Sequence, residues 1–123
     1  MSYKWDNKKP TVQMLGRWQP FHEGHYTLFK EIIKKTGQVC IQIRDVQGVD
    51  DNPFDFETVK KNIEDKLNPE FKGRFKIMVV PNITNICYGR GVGYKIEEIE
   101  LPKEIQEISA TKIRAKMREE GKL

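Results

Sequence analysis

Short apolar runs alternate with amphipathic stretches along this chain, and that alternation restricts the fold more than any other feature. Residues 11–16, 38–44 and 75–80 are short and apolar enough to be buried strands. Residues 24–36 and 56–67 lie between them and carry apolar side chains at the spacing of one helix face. Strand, helix, strand, helix, strand in succession implies right-handed crossovers and a parallel sheet.

We therefore predict an α/β fold, a Rossmann-like three-layer sandwich. Its parallel sheet would have about five strands, flanked by helices on both faces. Residues 86–88 and 92–96 are the candidates for the two additional strands, although glycines interrupt the segment that holds them. No internal repeat or low-complexity tract indicates a second domain.

Capping residues set the predicted helix boundaries. Gly37 is a suitable C-cap for the first helix, and Asp55 is a suitable N-cap for the second. Asn68-Pro69 is expected to end that second helix. A final helix is expected over residues 110–120, with Ser109 as its N-cap.

The length and the N-terminal composition predict one domain. A chain of 123 residues can bury a real core, so we assign a polar leader to residues 1–10 and a single domain to 11–123. The leader lacks a secretory apolar region, and no apolar run approaches the ~20 residues that span a bilayer. We therefore expect a cytoplasmic protein with no membrane partner. Cys40 and Cys87 do not make a disulfide framework, and Cys40 is expected to be a buried free thiol.

The charge of the chain favours a small anionic ligand. The formal net charge is +4, but the 18 acidic residues are interleaved with the 22 basic ones. No stripe of alternating aromatic and basic residues is present, so we expect no nucleic-acid partner. A nucleotide or a sugar phosphate would suit this surface equally well.

The segment GRWQPFHEGHYTLFK, residues 16–30, carries the candidate chemistry. It places His22 and His25 around Gly24, where a predicted strand gives way to a predicted helix. Helix N-terminal amides attract anions, and imidazoles donate hydrogen bonds to phosphate oxygens. Ligands of parallel α/β sheets bind beyond the carboxyl ends of the strands. The pattern predicts a polyphosphate site here; the alternative is that one histidine caps the helix and the other packs in a loop.

Two motifs together resemble those of the nucleotidyltransferase superfamily. GRWQPFHEGHYTLF resembles its Gly-Arg-Phe-x-Pro-Phe-His-x-Gly-His motif, and ISATKIRAKM, residues 108–117, resembles its Ile-Ser-x-Thr-x-Ile-Arg motif at the start of the last helix. Within that superfamily, the chain is most similar to archaeal-type nicotinamide-mononucleotide adenylyltransferases and to related domains fused to adenylylsulfate kinases. Asn-Pro-Phe at 52–54 and Val-Pro-Asn-Ile at 80–83 extend the resemblance.

The resemblance implies an enzyme in which a phosphate of the acceptor attacks the α-phosphorus of a nucleoside triphosphate and pyrophosphate leaves. ATP is favoured over CTP, the acceptor is a small phosphorylated molecule, and Mg²⁺ is bound mainly by substrate oxygens, with no metal site in the protein. By motif position His22, His25, Arg17 and Arg114 would be catalytic. The nucleotide-binding residues that the resemblance implies are Gly16, Gly24, Tyr88, Gly89, Arg90, Ser109 and Thr111.

The acceptor end of the reaction is less defined. Arg44 and Asp45 follow the second predicted strand and are candidates for acceptor binding, with an ion pair between them as the alternative. Trp18 is expected to pack in place of the family's phenylalanine, with stacking on a base as the alternative. After residues 81–83 the chain lacks the longer, tryptophan-containing stretch of the nicotinamide enzymes, so their acceptor is not implied.

Other functions fit the same motifs. One is cytidylyl transfer from CTP to an alcohol or sugar phosphate. Another is a regulatory module that binds nucleotide without turnover. Relatives form dimers or larger assemblies, so a homo-oligomer is also expected.

Overall fold

The computed structural model describes residues 3–48, 52–90 and 93–122. The elements in chain order are β1 (Val12–Gly16), α1 (Glu23–Thr36), β2 (Val39–Arg44), α2 (Phe56–Phe71), β3 (Phe75–Val80), α3 (Lys103–Gln106) and α4 (Ala110–Glu119). The alternation of three strands and two helices is confirmed, as is a final helix. The one-turn helix α3 was not predicted.

The sheet is parallel throughout and has the order β1-β2-β3. Its register places Val12 opposite Val39 and Ile41 opposite Ile77. An α/β fold with a parallel sheet is therefore confirmed, but the sheet has three strands within the described ranges, where the sequence predicts about five. Residues 86–88 and 93–96 have no regular secondary structure, and Val92 lies outside the described residues.

Both long helices cover the same face of the sheet. The side chains of Val39, Ile41 and Ile43 are fully buried and alternate with half-exposed residues along β2. One core cluster joins these three to apolar residues of both helices, namely Phe29, Ile32 and Ile33 of α1 and Val59, Ile63 and Leu67 of α2. A monotonic strand order with right-handed crossovers produces this arrangement. The three strands and their two crossover helices thus form two layers, whereas the sequence predicts three layers with helices on both faces.

Helix α1 ends where its sequence predicts and begins one residue earlier, at Glu23. Its N-cap is His22, and Gly37 adopts a left-handed conformation (φ 85°) at the C-cap, where its N–H donates to the carbonyl of Ile33. Gly37 pays no Cβ penalty for that conformation.

Helix α2 is longer than predicted. Asp55 caps it by accepting from the N–H of Thr58 at 2.8 Å, as expected. The helix then continues through Pro69 to Phe71 instead of ending at Asn68-Pro69. The ring of Phe71 packs against Phe29 of α1 at 5.1 Å between centroids, and this contact stabilises the last turn.

Residues 3–9 of the leader contact the amino edge of the sheet. The Tyr3 hydroxyl and the Asp6 carbonyl bond to the fully buried side-chain amide of Gln38, and the Arg74 guanidinium lies over the Tyr3 ring at 4.4 Å. Among residues 3–48, 52–90 and 93–122, no helix is both long and apolar enough to cross a membrane.

Candidate functional site

The β1–α1 connection is built around a buried tryptophan. Trp18 adopts a left-handed conformation (φ 55°), and its indole N–H donates to the carbonyl of Gln42 at 3.1 Å. The indole lies edge-on to His25, with 4.7 Å between ring centroids. A Cβ on Gly16 would come within 2.7 Å of the same indole, so Gly16 is required by this packing. Trp18 therefore packs in the interior, as the favoured interpretation expects.

The two histidines form a reciprocal cap on α1. Nδ1 of His22 accepts from the N–H of Gly24 at 3.0 Å, and Nδ1 of His25 accepts from the N–H of His22 at 3.2 Å. Their rings stack with 3.7 Å between centroids and 17° between planes. A neutral imidazole whose Nδ1 accepts must carry its proton on Nε2. The pair therefore presents two Nε2–H donors at the N-terminus of a helix.

The position of the His22 ring requires glycine at position 24. A Cβ at position 24 would lie 2.8 Å from Cε1 of His22 and 3.0 Å from its Nδ1. The His-x-Gly-His spacing thus brings the two rings together over the first turn, because only glycine leaves room for the His22 ring there.

The environment holds both imidazoles neutral. Burial and, to a smaller extent, the neighbouring His22 together lower the pKa of His25 to about 3. The pKa of His22 is also lowered, first by burial and then by the positive charge of Lys66, while Glu23 opposes the shift. A bound polyanion would reverse this preference because it stabilises the protonated or hydrogen-bonding form.

A cleft of about 500 Å³ adjoins His22 between the β1–α1 turn, α2 and α4. Lys66 reaches into it from α2 and forms an ion pair with Glu23, which follows His22. Asn62 lines the cleft one turn earlier on α2, and Thr58 lines it two turns earlier. Its other walls are apolar and come from Pro20, Phe21, Phe54, Ile108, Ile113 and Met117. The cleft thus combines a polar rim beside His22 with an apolar wall from α4.

The second motif is joined to the first through Arg114. This arginine is 1% exposed, and its Nη1 donates to the carbonyl of Gln19 at 2.5 Å. Its Nη2 donates to Oγ1 of Thr111 at 3.4 Å, while Oγ of Ser109 accepts from the N–H of Lys112 at 3.4 Å and caps α4. The structure therefore brings the N-terminus of α4 and the turn before α1 together, although 95 positions separate the two ends of this bond.

Arginines follow the first two strands. Arg17 is exposed and its Nη1 donates to Oδ1 of Asn52 at 3.3 Å. Nη2 of Arg44 donates to Oδ1 of Asn82 at 2.8 Å, and its buried Nε has no hydrogen-bond partner among the described residues. Arg44 thus bonds to Asn82, the second residue after β3, and not to Asp45, whose own N–H donates to the carbonyl of Val80. The acceptor role of Arg44 and Asp45 stays a prediction.

Tyr88, Gly89 and Arg90 do not line the cleft beside His22. All three are exposed, Tyr88 by 57%, and they line a groove along the outer edge of β1 that contains neither histidine. Their predicted contacts with the base and ribose stay predictions.

Three residues of the site escaped prediction. Gln19 is 2% exposed and bonds to the backbone of Phe54, Asn52 receives the Arg17 bond, and Lys66 faces His22. Thr58, Asn62 and Lys66 share a helical spacing beside the apolar stripe of α2, so that polar face was readable in the sequence. Nothing in the sequence marks Gln19 as buried.

Comparison with known proteins gives short matches to adenylyltransferases. The chain is 44% identical over 43 residues to a nicotinamide-nucleotide adenylyltransferase of Methanococcus aeolicus, a match that covers 33% of this chain and 25% of that protein. Enzymes of the same name from two strains of Methanococcus maripaludis are 44% identical over 34 residues, which cover 28% of this chain and 20% of theirs. The chain thus spans a quarter or less of the length of the curated relatives it matches.

These matches support a nucleotidyltransferase-like relationship at a coarse level. No protein-family model matches the chain, and no solved structure matches it significantly.

Proposed function

We propose that this chain is a nucleotidyltransferase that transfers an adenylyl group from ATP to a small phosphate-bearing acceptor and releases pyrophosphate. The observation that carries the proposal is the stacked pair of His22 and His25, with both Nδ1 atoms engaged by backbone N–H groups and both Nε2–H donors at a helix N-terminus. The short matches to adenylyltransferases favour ATP over CTP.

The residues around that pair supply a cradle for a triphosphate. The first amides of α1 and α4 have no partners within their helices, which makes each N-terminus attractive to anions. Ser109 and Thr111 belong to the second of these ends, and the Arg114–Gln19 bond ties it to the first. Exposed Arg17 adds a positive charge beyond β1.

The reaction in this cradle is an in-line displacement. A phosphate oxygen of the acceptor forms a bond to the α-phosphorus, the bond from that phosphorus to the β-bridging oxygen breaks, and the electron pair leaves with pyrophosphate. No covalent enzyme intermediate is needed. His22 and His25 contribute by donating from Nε2 to the phosphoryl oxygens, where charge develops in the transition state. Neutral rings suit this role because they donate without a proton having to move first.

Mg²⁺ would neutralise part of the triphosphate charge when bound. Within residues 3–48, 52–90 and 93–122, no group of three or more His, Cys, Asp or Glu side chains could hold a metal ion. The proposal is that this magnesium ion arrives on phosphate oxygens and keeps several of its waters.

A pyrophosphate-release screen tests the proposal. Four nucleoside triphosphates with Mg²⁺ are each combined with a panel of phosphomonoesters and with sulfate. ATP with one phosphomonoester should release pyrophosphate, and His25→Ala should lower kcat by at least ~100-fold, as the loss of a transition-state donor does. Gln13→Ala, on the exposed face of the sheet, is the control and should leave kcat unchanged. Turnover that survives His25→Ala would contradict the proposal.

One observation favours a nucleotide-binding module without turnover. The described residues from 81 to 102 form no helix or strand, and Tyr88, Tyr94 and Ile96 are exposed there, so this segment provides no enclosed acceptor pocket. This candidate predicts that ATP binds while no acceptor in the screen yields pyrophosphate. If only CTP released pyrophosphate in the screen, the protein would instead be a cytidylyltransferase.

A further inference from the structure

The side chain of Gln19 forms a two-way bridge to the backbone before α2. Its Nε2 donates to the carbonyl of Phe54 at 2.9 Å, and its Oε1 accepts from the N–H of Phe54 at 2.9 Å. Gln19 is only 2% exposed, so both bonds lie out of water and leaving either partner unsatisfied carries the full desolvation cost. A primary amide is the side-chain group that can pair with a peptide in both directions at once.

The main chain of the same residue holds the last helix. The carbonyl of Gln19 accepts from Nη1 of Arg114, one turn into α4. The Gln19 side chain fixes where that carbonyl lies, because its two bonds to Phe54 anchor the residue against the segment that starts α2. One residue thus connects three parts of the chain: the β1–α1 turn, the segment before α2, and α4.

These three parts carry the components of the proposed cradle. The β1–α1 turn leads into His22, and the segment before α2 contains Asn52, which receives the bond from Arg17. The first turn of α4 contains Thr111, whose hydroxyl accepts from Arg114. Phosphoryl transfer depends on alignment, and a misplacement of about 1 Å costs on the order of 100-fold in rate.

We propose that Gln19 is a positioning residue that aligns the histidine half of the cradle with the α4 half. The inference rests on the proposed function because the ligand to be aligned is a nucleoside triphosphate. The hydrogen bonds of Gln19 are observed independently of that function. Gln19 touches no reacting group in this assignment; it acts through Phe54 and Arg114.

A second buried glutamine provides a matched control. Gln38 is fully buried and also pairs with one residue in both directions: its Nε2 donates to the carbonyl of Asp6 at 2.8 Å and its Oε1 accepts from the N–H of Asp6 at 3.4 Å. It precedes β2 and therefore lies at the amino edge of the sheet, opposite the edge from which the histidine turn emerges. Gln38→Met and Gln19→Met each remove a buried amide that pairs with a backbone peptide, at opposite ends of the molecule; Gln38→Met also removes bonds to Tyr3 and Thr11.

The experiment compares the wild-type chain, Gln19→Met and Gln38→Met. Unfolding in urea measures the stability loss of each, and calorimetry measures the affinity for Mg·ATP and for inorganic triphosphate under conditions where all three proteins are folded. Gln19→Met should weaken both affinities by about tenfold or more, since it disturbs the alignment of two anion-binding helix ends. Gln38→Met should stay within about twofold of wild type despite a comparable loss of stability. Unchanged affinity in Gln19→Met, or an equal loss in both variants, would overturn the inference.

A spectroscopic readout keeps this test separate from the proposed function. If wild-type protein binds neither ATP nor triphosphate, the proposed function fails, and the bridge is then judged from backbone amide NMR signals alone. Gln19→Met should shift the signals of Thr111 and Lys112 in α4, which are far along the chain from the substitution, whereas Gln38→Met should not. Unshifted α4 signals would reject the bridge. If Gln19→Met does not fold, Gln19→Glu is carried through the same measurements, because the ionised carboxylate keeps the acceptor and loses the donor.

Discussion

At the scale of single residues, the His22–His25 pair couples a structural role to a chemical one. Each Nδ1 satisfies a backbone N–H that the start of α1 would otherwise leave open, and this engagement assigns the remaining proton to Nε2. From the sequence alone, helix capping and phosphate binding are alternative roles for these histidines. The geometry allows both, because capping uses one nitrogen of each ring and leaves the other as a donor.

Acid should destabilise the fold through His25. Its pKa is about 3 in the folded chain and near 6.5 when unfolded, so between these values the unfolded chain binds more protons. Stability contributed by the neutral ring is therefore fully present above about pH 6.5 and falls by about 1.4 kcal/mol per pH unit as the pH drops toward 3. Urea unfolding from about pH 7 to about pH 4 measures this slope.

The control for that experiment is His25→Gln. Its amide oxygen still accepts from the N–H of His22 but does not titrate in this range. The carboxylates contribute equally in both proteins, so the difference between the two slopes isolates His25. Equal slopes would contradict the burial of a neutral imidazole at this position.

Lys66 should lower the pKa of His22 further than burial alone lowers it. Its positive charge lowers that pKa while Glu23, its ion-pair partner, raises it. Lys66→Met removes the positive charge that lowers the pKa of His22 and leaves Glu23 without its ion-pair partner. The pKa of His22 should therefore rise. An NMR titration of the His22 ring signal measures the change. Lys61→Met is the matched control on the same helix, because Lys61 pairs with exposed Asp65, and it should leave the pKa of His22 unchanged.

At the scale of helices and strands, the sequence was most informative where one physical effect dominates. The apolar spacing of α1, the alternation of Val39, Ile41 and Ile43 in β2, and the Asp55 cap all appear in the structure as predicted. The predicted end of α2 at Asn68-Pro69 was wrong. Proline disfavours continuation of a helix, but the contact between Phe71 and Phe29 of α1 stabilises the last turn. Distant contacts are not readable from local spacing.

That competition predicts the effect of Pro69→Ala. Alanine restores an intrahelical N–H and removes the ring's clash with the preceding turn, a gain partly offset by the greater freedom of the unfolded chain. We expect the free energy of unfolding to increase by about 1–2 kcal/mol. Chemical denaturation measures it, with Pro53→Ala, in the exposed segment before α2, as the control. A decrease in stability would show that α2 requires the proline for its direction and not merely tolerates it.

At the scale of the whole molecule, the strand order was the main thing that the sequence could not predict. Right-handed crossovers follow from the alternation, but whether the sheet extends beyond β1 depends on which later segment pairs with that edge. Glycine-interrupted residues 86–96 carry too weak a pattern to decide this, and the described part of that segment forms no strand. The same limit applies to the site: His22 and Ser109 were identified by motif, whereas the Gln19–Arg114 bond that joins their elements depends on tertiary packing.

The N-terminal leader should stabilise the whole domain through Gln38. Tyr3 and Asp6 supply hydrogen bonds to the buried Gln38 amide, and the removal of residues 1–9 would leave that amide without these partners. We expect the shortened chain to lose about 1–3 kcal/mol of unfolding free energy, the usual cost of an unsatisfied buried polar group. Urea unfolding of both chains measures the loss. Combining the deletion with Gln38→Met should cost less than the sum of the two changes, because both remove the same bonds. Strict additivity would show that the leader stabilises the domain by another route, such as the packing of Arg74 over the Tyr3 ring.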